Sequence, residues 1–300
     1  MRTRHGGKPG SRSISQERRT GVARRSSAFR ILRRTVFFAA CVSLALTVGC
    51  RTHTEPVTGR SQFILTSPAQ ERKMGLQAWQ TVLKEEQLSS SARYQNAIKR
   101  VGNNLKKSVD SEDYKWEFRV FAGKQANAFA LPSGKVGVYE GLFNYLDNDA
   151  ELAAVIGHEI GHAVARHGGE RMTQAMVINV GALGLGMTMQ DKERAERERW
   201  LAAYSGLTTV GYLLPFSRKH EYAADKMGMQ YMAEAGYDPQ AAIEFWKKFV
   251  KQQETPGALE FLSTHPMGEK RLEQLRSYYN QAYLAYQMAP VKHGYGEQYD

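Results

Sequence analysis

Cysteine is almost absent from this chain of 300 residues: there are two, Cys41 and Cys50, and both fall within the first fifty positions. With none from residue 51 onward, no disulfide framework holds the folded part together. No self-similarity at a 20–50-residue period is present, which argues against a solenoid extension. A one-signed charge is also missing once it is located. The net charge of +11 suggests a nucleic-acid partner, but residues 1–50 hold eleven basic side chains and one acid. The remaining thirty basic and twenty-nine acidic residues nearly cancel. A near-neutral domain has no field with which to gather phosphate backbone, so nucleic acid is excluded as a partner.

The basic leader precedes residues 35–49 (TVFFAACVSLALTVG), an uncharged apolar stretch of fifteen. This is short of the ~20 residues that span a bilayer and suits the core of a secretion signal. It runs into Leu46-Thr47-Val48-Gly49-Cys50, which resembles the lipobox of bacterial lipoproteins, with Thr47 where leucine is usual. Residues 1–50 are therefore expected to be a signal peptide, with Cys50 lipidated and the membrane reached through that lipid anchor. Residues 51–68, with Pro56, Gly59 and Pro68, read as a tether.

Apolar spacing predicts helices over 69–87 and 91–109. Alternation at Trp116, Phe118 and Val120 predicts a strand, and two short strands flank the turn Pro132-Ser133-Gly134. A helix capped near Asp147–Asp149 is expected to run to about His167, where Gly168-Gly169 stops it. Residues 171–190 and 200–215 read as two packed helices joined by a charged connection, or as a membrane-touching hairpin. Helices are predicted over 217–235, 239–251 and 268–287. Residues 289–300 are expected to fray. The tryptophans at 79, 116, 200 and 246 are read as packing residues.

The chemistry centres on His158-Glu159-Ile160-Gly161-His162, an H-E-x-x-H sequence. On a helix, residues four apart share one face, so two imidazoles converge on one cation while Glu159 stands beside them as general base. Zinc accepts imidazole nitrogen and keeps one position open in catalytic sites. The apolar flanks (Leu152, Val155, Ile156, Ala163, Val164) bury this helix. A metzincin would need Gly at 165 and His at 168; Ala165 and Gly168 exclude that class. His167 is placed off the ligand face. The third ligand must then come from a later acid. Glu193, Glu196 and Glu198 read as a solvated charged face, whereas Glu221 precedes Asp225 by one helical turn. Glu221 is taken as the ligand, and Asp225 as the carboxylate that accepts the free N–H of a ligating histidine.

The pairing of His158–His162 with Glu221-Tyr222-Ala223-Ala224-Asp225 resembles the HtpX, Oma and CAAX-prenyl-protease family of metallopeptidases, peptidase family M48. Three further segments are similar: Pro56-Val57-Thr58-Gly59-Arg60; Asn127-Ala128-Phe129-Ala130-Leu131-Pro132-Ser133-Gly134; and Thr264-His265-Pro266 followed by Arg271. The resemblance spans roughly 56–280. It implies an α+β fold, a mostly helical gluzincin-type domain over 69–288 with a small sheet whose edge strand binds peptide. It implies one Zn²⁺ on His158, His162 and Glu221. It also implies that His265 and Arg271 stabilise the oxyanion across the cleft, and that Asn127 and Ala128 hold the substrate backbone. The long membrane helices of the prenyl-protease branch are absent, so CAAX processing is not expected. The implied activity is an endopeptidase for misfolded or unassembled proteins of the bacterial envelope. The chain would face the periplasm from a lipid anchor at the outer membrane, with proteins and peptides as its substrates.

Overall fold

The computed structural model describes residues 52–109, 113–189, 192–196, 198–199, 218–251, 255 and 261–299, and the folded unit begins at Thr52. Cys50 and the apolar stretch 200–215 lie outside the described residues.

The architecture is α+β and mostly helical. Two short strands, β1 (Thr52–Thr54) and β2 (Ser61–Phe63), pair antiparallel. Helix α1 (Pro68–Glu85) opens with a capping box between Ser67 and Gln70, and α2 (Ala92–Leu105) opens on the Ser91 side chain. Each satisfies amide donors that a helix start leaves open. Strands β3 (Glu117–Phe121), β4 (Ala128–Leu131) and β5 (Lys135–Tyr139) form one sheet in the order β3-β5-β4. β4 and β5 are antiparallel around the expected turn, where Gly134 adopts φ +81°, and β3 runs parallel to β5.

Helix α3 (Asp149–Val164) is the centre of the molecule. All its residues from Asp149 to Ala163 are buried, with Leu152, Val155, Ile156 and Ile160 fully inaccessible. Such a helix is apolar on every side because it has neighbours on every side. Its cap is Asn148, whose side chain accepts from Glu151 N–H at 3.0 Å. Asp149 and Glu151 follow in the first turn, where the helix dipole favours acids. Around α3 pack α2, β4, α5 (Arg218–Glu234) and α6 (Gln240–Lys251), and α7 (Glu269–Met288) packs on α5. The α3–α5 approach is unusually close. A Cβ on Gly157 would meet Gly228 O at 2.8 Å, and one on Gly161 would meet Ala224 O at 2.9 Å.

Three sequence expectations fail. First, α3 ends at Val164, and Arg166, in the left-handed region at φ 54°, reverses the chain. Gly168 and Gly169 then belong to the next helix, α4 (His167–Thr188). Gly169 is needed there for space, since a Cβ would strike the Glu71 carboxylate, which is paired with Arg166 at 2.6 Å. Second, the segment read as a tether is folded from Thr52 on: Glu55 and Gln62 are each about 1% exposed. Third, the tail does not fray. Asp149 N–H donates to Glu297 O and Tyr299 N–H to Asp147 O, while the tail's polar groups converge on Asp149. Charge and turn residues made both ends look loose, but their few polar side chains are spent on buried partners. No helix among the described residues is long and apolar enough to cross a membrane.

Candidate metal centre

α3 presents His158 and His162 one turn apart, and α5, held close by the glycine contacts, presents Glu221 and Asp225 to them. The stretch before α7 adds His265, and α7 itself adds Arg271. All six, with Glu159, are at most 4% exposed. The ligand atoms of His158, His162, Glu221 and His265 lie within 4.8 Å of one another. His158 Nε2 is 3.0 Å from His162 Nε2, 3.3 Å from His265 Nδ1 and 3.4 Å from Glu221 Oε2. Glu221 Oε1 is 3.3 Å from His162 Nε2 and 3.4 Å from His265 Nδ1. Donors ~2.0–2.1 Å from a tetrahedral cation are separated by about 3.3–3.4 Å, so these spacings suit one small divalent ion.

Hydrogen bonding supports the same fit. Both Glu221 oxygens and Glu159 Oε1 are buried without a hydrogen-bond partner. Arg271 Nη1 lies 2.7 Å from Glu221 Oε2 as an ion pair, off the line of a hydrogen bond. Buried acceptors left in this state are costly unless a cation completes them. His158 Nδ1 meets Asp225 Oδ1 at 2.9 Å, which leaves Nε2 as the electron-pair donor towards the cluster. Burial lowers the His158 pKa, but the hydrogen bond to Asp225 and the nearby negative charge of Glu221 outweigh it and raise it to about 9. Burial instead holds the His162 ring well below its usual value, and therefore neutral. Burial pushes the Glu221 carboxyl up, yet the charge of Arg271 and the two imidazoles bring it well below the usual range. The cluster thus favours one added positive charge, which a proton or a metal ion can supply.

Glu159 stands beside the cluster, with its Oε1 3.4 Å from His265 Nε2. Burial raises its pKa, against the opposing charges of His265 and His158 and a hydrogen bond from the Ala130 backbone. That amide lies on β4, the edge of its sheet. Because Tyr139 N–H donates to Asn127 O, antiparallel alternation turns the backbone of Ala128 and Ala130 away from β5, towards the open edge.

Three further expected site residues are placed by their contacts. Arg271 was expected to face the metal across the cleft and stabilise the oxyanion. Its guanidinium grips Asp225 (Nε–Oδ2 2.5 Å, Nη2–Oδ1 2.7 Å), touches Glu221 and lies 4.3 Å over the Trp246 ring. A fork committed to two buried carboxylates holds both in place. His265, also expected to face the metal, has its Nδ1 within the donor group. Asn127 does not point its carbonyl at an open site: Oδ1 accepts from Ala128 N–H at 2.9 Å. The Ala128 side chain faces the core.

Sequence reading passed over Trp246, whose aromatic spacing looked like ordinary packing; His167 was expected either at the helix end or behind the ligands. His162 Nδ1 is 2.9 Å from His167 Nδ1. The proximity of His167 in sequence was the available signal.

The chain matches peptidase family M48 over residues 92–279. It is 32% identical over 252 residues to the mitochondrial metalloendopeptidase OMA1 of Schizosaccharomyces pombe, an alignment covering 81% of this chain and 71% of that protein. It is 37% identical over 194 residues to OMA1 of Arabidopsis thaliana, covering 64% of this chain and 37% of the relative. With the beta-barrel assembly-enhancing protease of Escherichia coli K12 it shares 30% identity over 233 residues, covering 76% of this chain and 47% of that one. A match over more than half of its length, onto the helices that carry the buried donor cluster, makes the chain a member of peptidase family M48 and a metalloendopeptidase.

Proposed function

We propose that the chain is a zinc endopeptidase acting on misfolded or unassembled proteins of a bacterial envelope, tethered there by a lipid on Cys50. The observation that carries the catalytic part is the buried quartet of donors at tetrahedral spacing with the Glu159 carboxylate beside it. His158, His162 and Glu221 would hold the ion. When bound, zinc supplies a Lewis acid that polarises a carbonyl and acidifies water.

The chain's own groups do the rest. Glu159, whose burial gives it an affinity for protons above that of an exposed glutamate, takes a proton from the attacking water and returns it to the leaving amine. His265, whose Nδ1 lies 3.3 Å from His158 Nε2, would face the ion at the position a hydrolytic site keeps for water. From its place beside Glu159 it then donates to the carbonyl oxygen. Removal of one such donor commonly costs about 3–4 kcal/mol of barrier. Arg271 holds Asp225 and Glu221, and Asp225 holds the His158 ring. The outward backbone carbonyls of Ala128 and Ala130 on β4 offer an extended peptide a strand to pair with, a mode tolerant of sequence. Asn127 would release the Ala128 N–H to that peptide.

The envelope assignment draws on the lipobox, on the near-neutral domain, and on the relative named for beta-barrel assembly. Metal analysis with a casein-degradation assay, with and without chelator, tests the chemistry. Glu159→Gln is expected to keep its metal and lose cleavage. A variant that still cuts at the wild-type rate would remove Glu159 as base. A Cys50→Ala variant is expected in the soluble fraction, and its retention on membranes would rule out a lipid as the sole anchor.

A further inference from the structure

The mechanism leaves one buried polar cluster unused. It joins the β1–β2 hairpin to the start of α4 and reaches the end of α3 and the first turn of α5. Its members are Glu55, Arg60, Gln62, His167, Glu170 and His220. The turn Pro56-Val57-Thr58-Gly59-Arg60 shapes it. Gly59, at φ +69°, donates to Glu55 O, and Glu55 N–H donates to Arg60 O at 2.9 Å, so the two charged side chains face the same way. Arg60 then bridges Glu55 (2.5 Å) and Glu170 (2.6 Å). Gln62 donates to Ala165 O, at the end of α3, at 2.9 Å. Glu170 also meets His220 Nε2 at 2.9 Å.

We infer that Glu55 is a positioning residue for the metal ligand His162, acting through His167. This rests on the reading above that His162 binds the ion. His162 turns Nε2 towards the donor cluster, so Nδ1 must carry the ring hydrogen. That hydrogen has His167 Nδ1 as its acceptor at 2.9 Å. His167 must then carry its own hydrogen on Nε2, which lies 3.0 Å from Glu55 Oε1. One carboxylate thereby sets two tautomers in series and makes His162 Nε2 a better electron-pair donor. A metal-ligating histidine usually meets its carboxylate directly, as His158 meets Asp225. Here a second imidazole stands between them, and the carboxylate comes from the hairpin that follows the leader.

The environment keeps Glu55 in the state required. Burial pushes the Glu55 carboxyl up, but hydrogen bonds from His167, Arg60 and Thr58 outweigh this and bring it to about 2. His167 and Glu55 are both fully buried side chains, so water does not substitute for either partner.

The test is zinc affinity, measured on full-length protein by competition with a chromogenic chelator, together with the visible spectrum of the cobalt-substituted form. Glu55→Ala leaves Arg60 paired with Glu170, and is expected to bind zinc about 10–100-fold more weakly. Glu55→Gln, which keeps an acceptor but no charge, is expected to fall between it and wild type and to shift the cobalt bands. His167→Phe should weaken binding alike, and the double variant should lose no more than either single one. Thr173→Val removes the Leu65 N–H bond (2.9 Å) that docks the same segment, without touching the relay, and should leave affinity unchanged. The inference is overturned if the folded Gln variant holds zinc as wild type does, if the Glu55 and His167 losses add, or if Thr173→Val costs as much. His162→Ala is the reference: if it and wild type bind zinc equally, the metal-site reading itself has failed, independently of Glu55.

Discussion

Gly228→Ala tests whether the close passage of α5 over α3 sets the metal geometry. A Cβ at Gly228 would lie 2.6 Å from His158 N, 2.8 Å from Gly157 C and 2.9 Å from His158 Cα. Carbon contacts are comfortable at about 3.5–4.0 Å, so the helices must part by about 0.6–1 Å. All three neighbours are backbone of a fully packed helix, so nothing flexible can yield. Glu221 and Asp225 ride on α5 and would move with it. The Glu221 separations of 3.3–3.4 Å would widen towards about 4 Å, against a tolerance of about 0.2 Å in metal–ligand distance. Overpacking costs about 1–3 kcal/mol, and alanine's helix preference returns nearly 1 kcal/mol of it. The metal-free protein should therefore lose little stability, while the rise in Tm on adding zinc should shrink, because that rise scales with affinity. Thermal unfolding with chelator and with excess zinc separates the two effects. Gly184→Ala is the control: nothing lies within 4 Å of a Cβ there, and the change should stabilise by about 0.5–1 kcal/mol. If Gly228→Ala keeps the full zinc-induced rise in Tm, the close helix approach does not set the site.

Three other outcomes follow from the buried charges. Arg271→Met strands Asp225 and Glu221 without their cation and should cost about 3–5 kcal/mol in denaturant unfolding of the metal-free protein, whereas a Tm near wild type would show the guanidinium to be dispensable. Because the Glu55 carboxyl is depressed to about 2 when folded, its contribution is complete above its unfolded value near 4.5 and fades as pH falls through that window. Wild type should therefore lose stability more steeply than Glu55→Gln between about pH 4.5 and 2, and parallel acid-unfolding curves would contradict the pairing. Deleting residues 289–300 removes the Tyr299 and Glu297 partners of Asp149 and should lower Tm and speed limited proteolysis at the start of α3, while an unchanged digest would mean the tail is ornamental.

How much of the site could be read from the sequence depended on how local each relation was. His158 and His162 are four residues apart on a helix whose burial is evident from Leu152, Val155 and Ile156, so their convergence follows from helical geometry. Asp225 was readable in the same way, one turn from Glu221. The partners of Arg271 were not legible, because they depend on which carboxylates reach it first. Two buried acids on α5 and the ring of Trp246 on α6 occupy it, and no spacing in the chain brings those three together. The end of α3 was misplaced because glycine pairs usually stop helices. Here Arg166 takes the left-handed turn, and Gly169 is required by Glu71 from a helix almost a hundred positions earlier.

Sequence alone determined the element types, the buried helix with its two histidines and adjacent glutamate, and the separation of a basic leader from a near-neutral domain, because each depends on periodicity or composition within one segment. Tertiary structure decided the rest. Glycines at the α3–α5 crossing bring Glu221 within 3.4 Å of two imidazoles, His265 Nδ1 comes within 3.4 Å of the same carboxylate, and a hairpin more than a hundred residues upstream reaches the outer nitrogen of His162 through His167. Those relations are distances between segments that meet only when the core is packed, and hydrophobic pattern does not encode them.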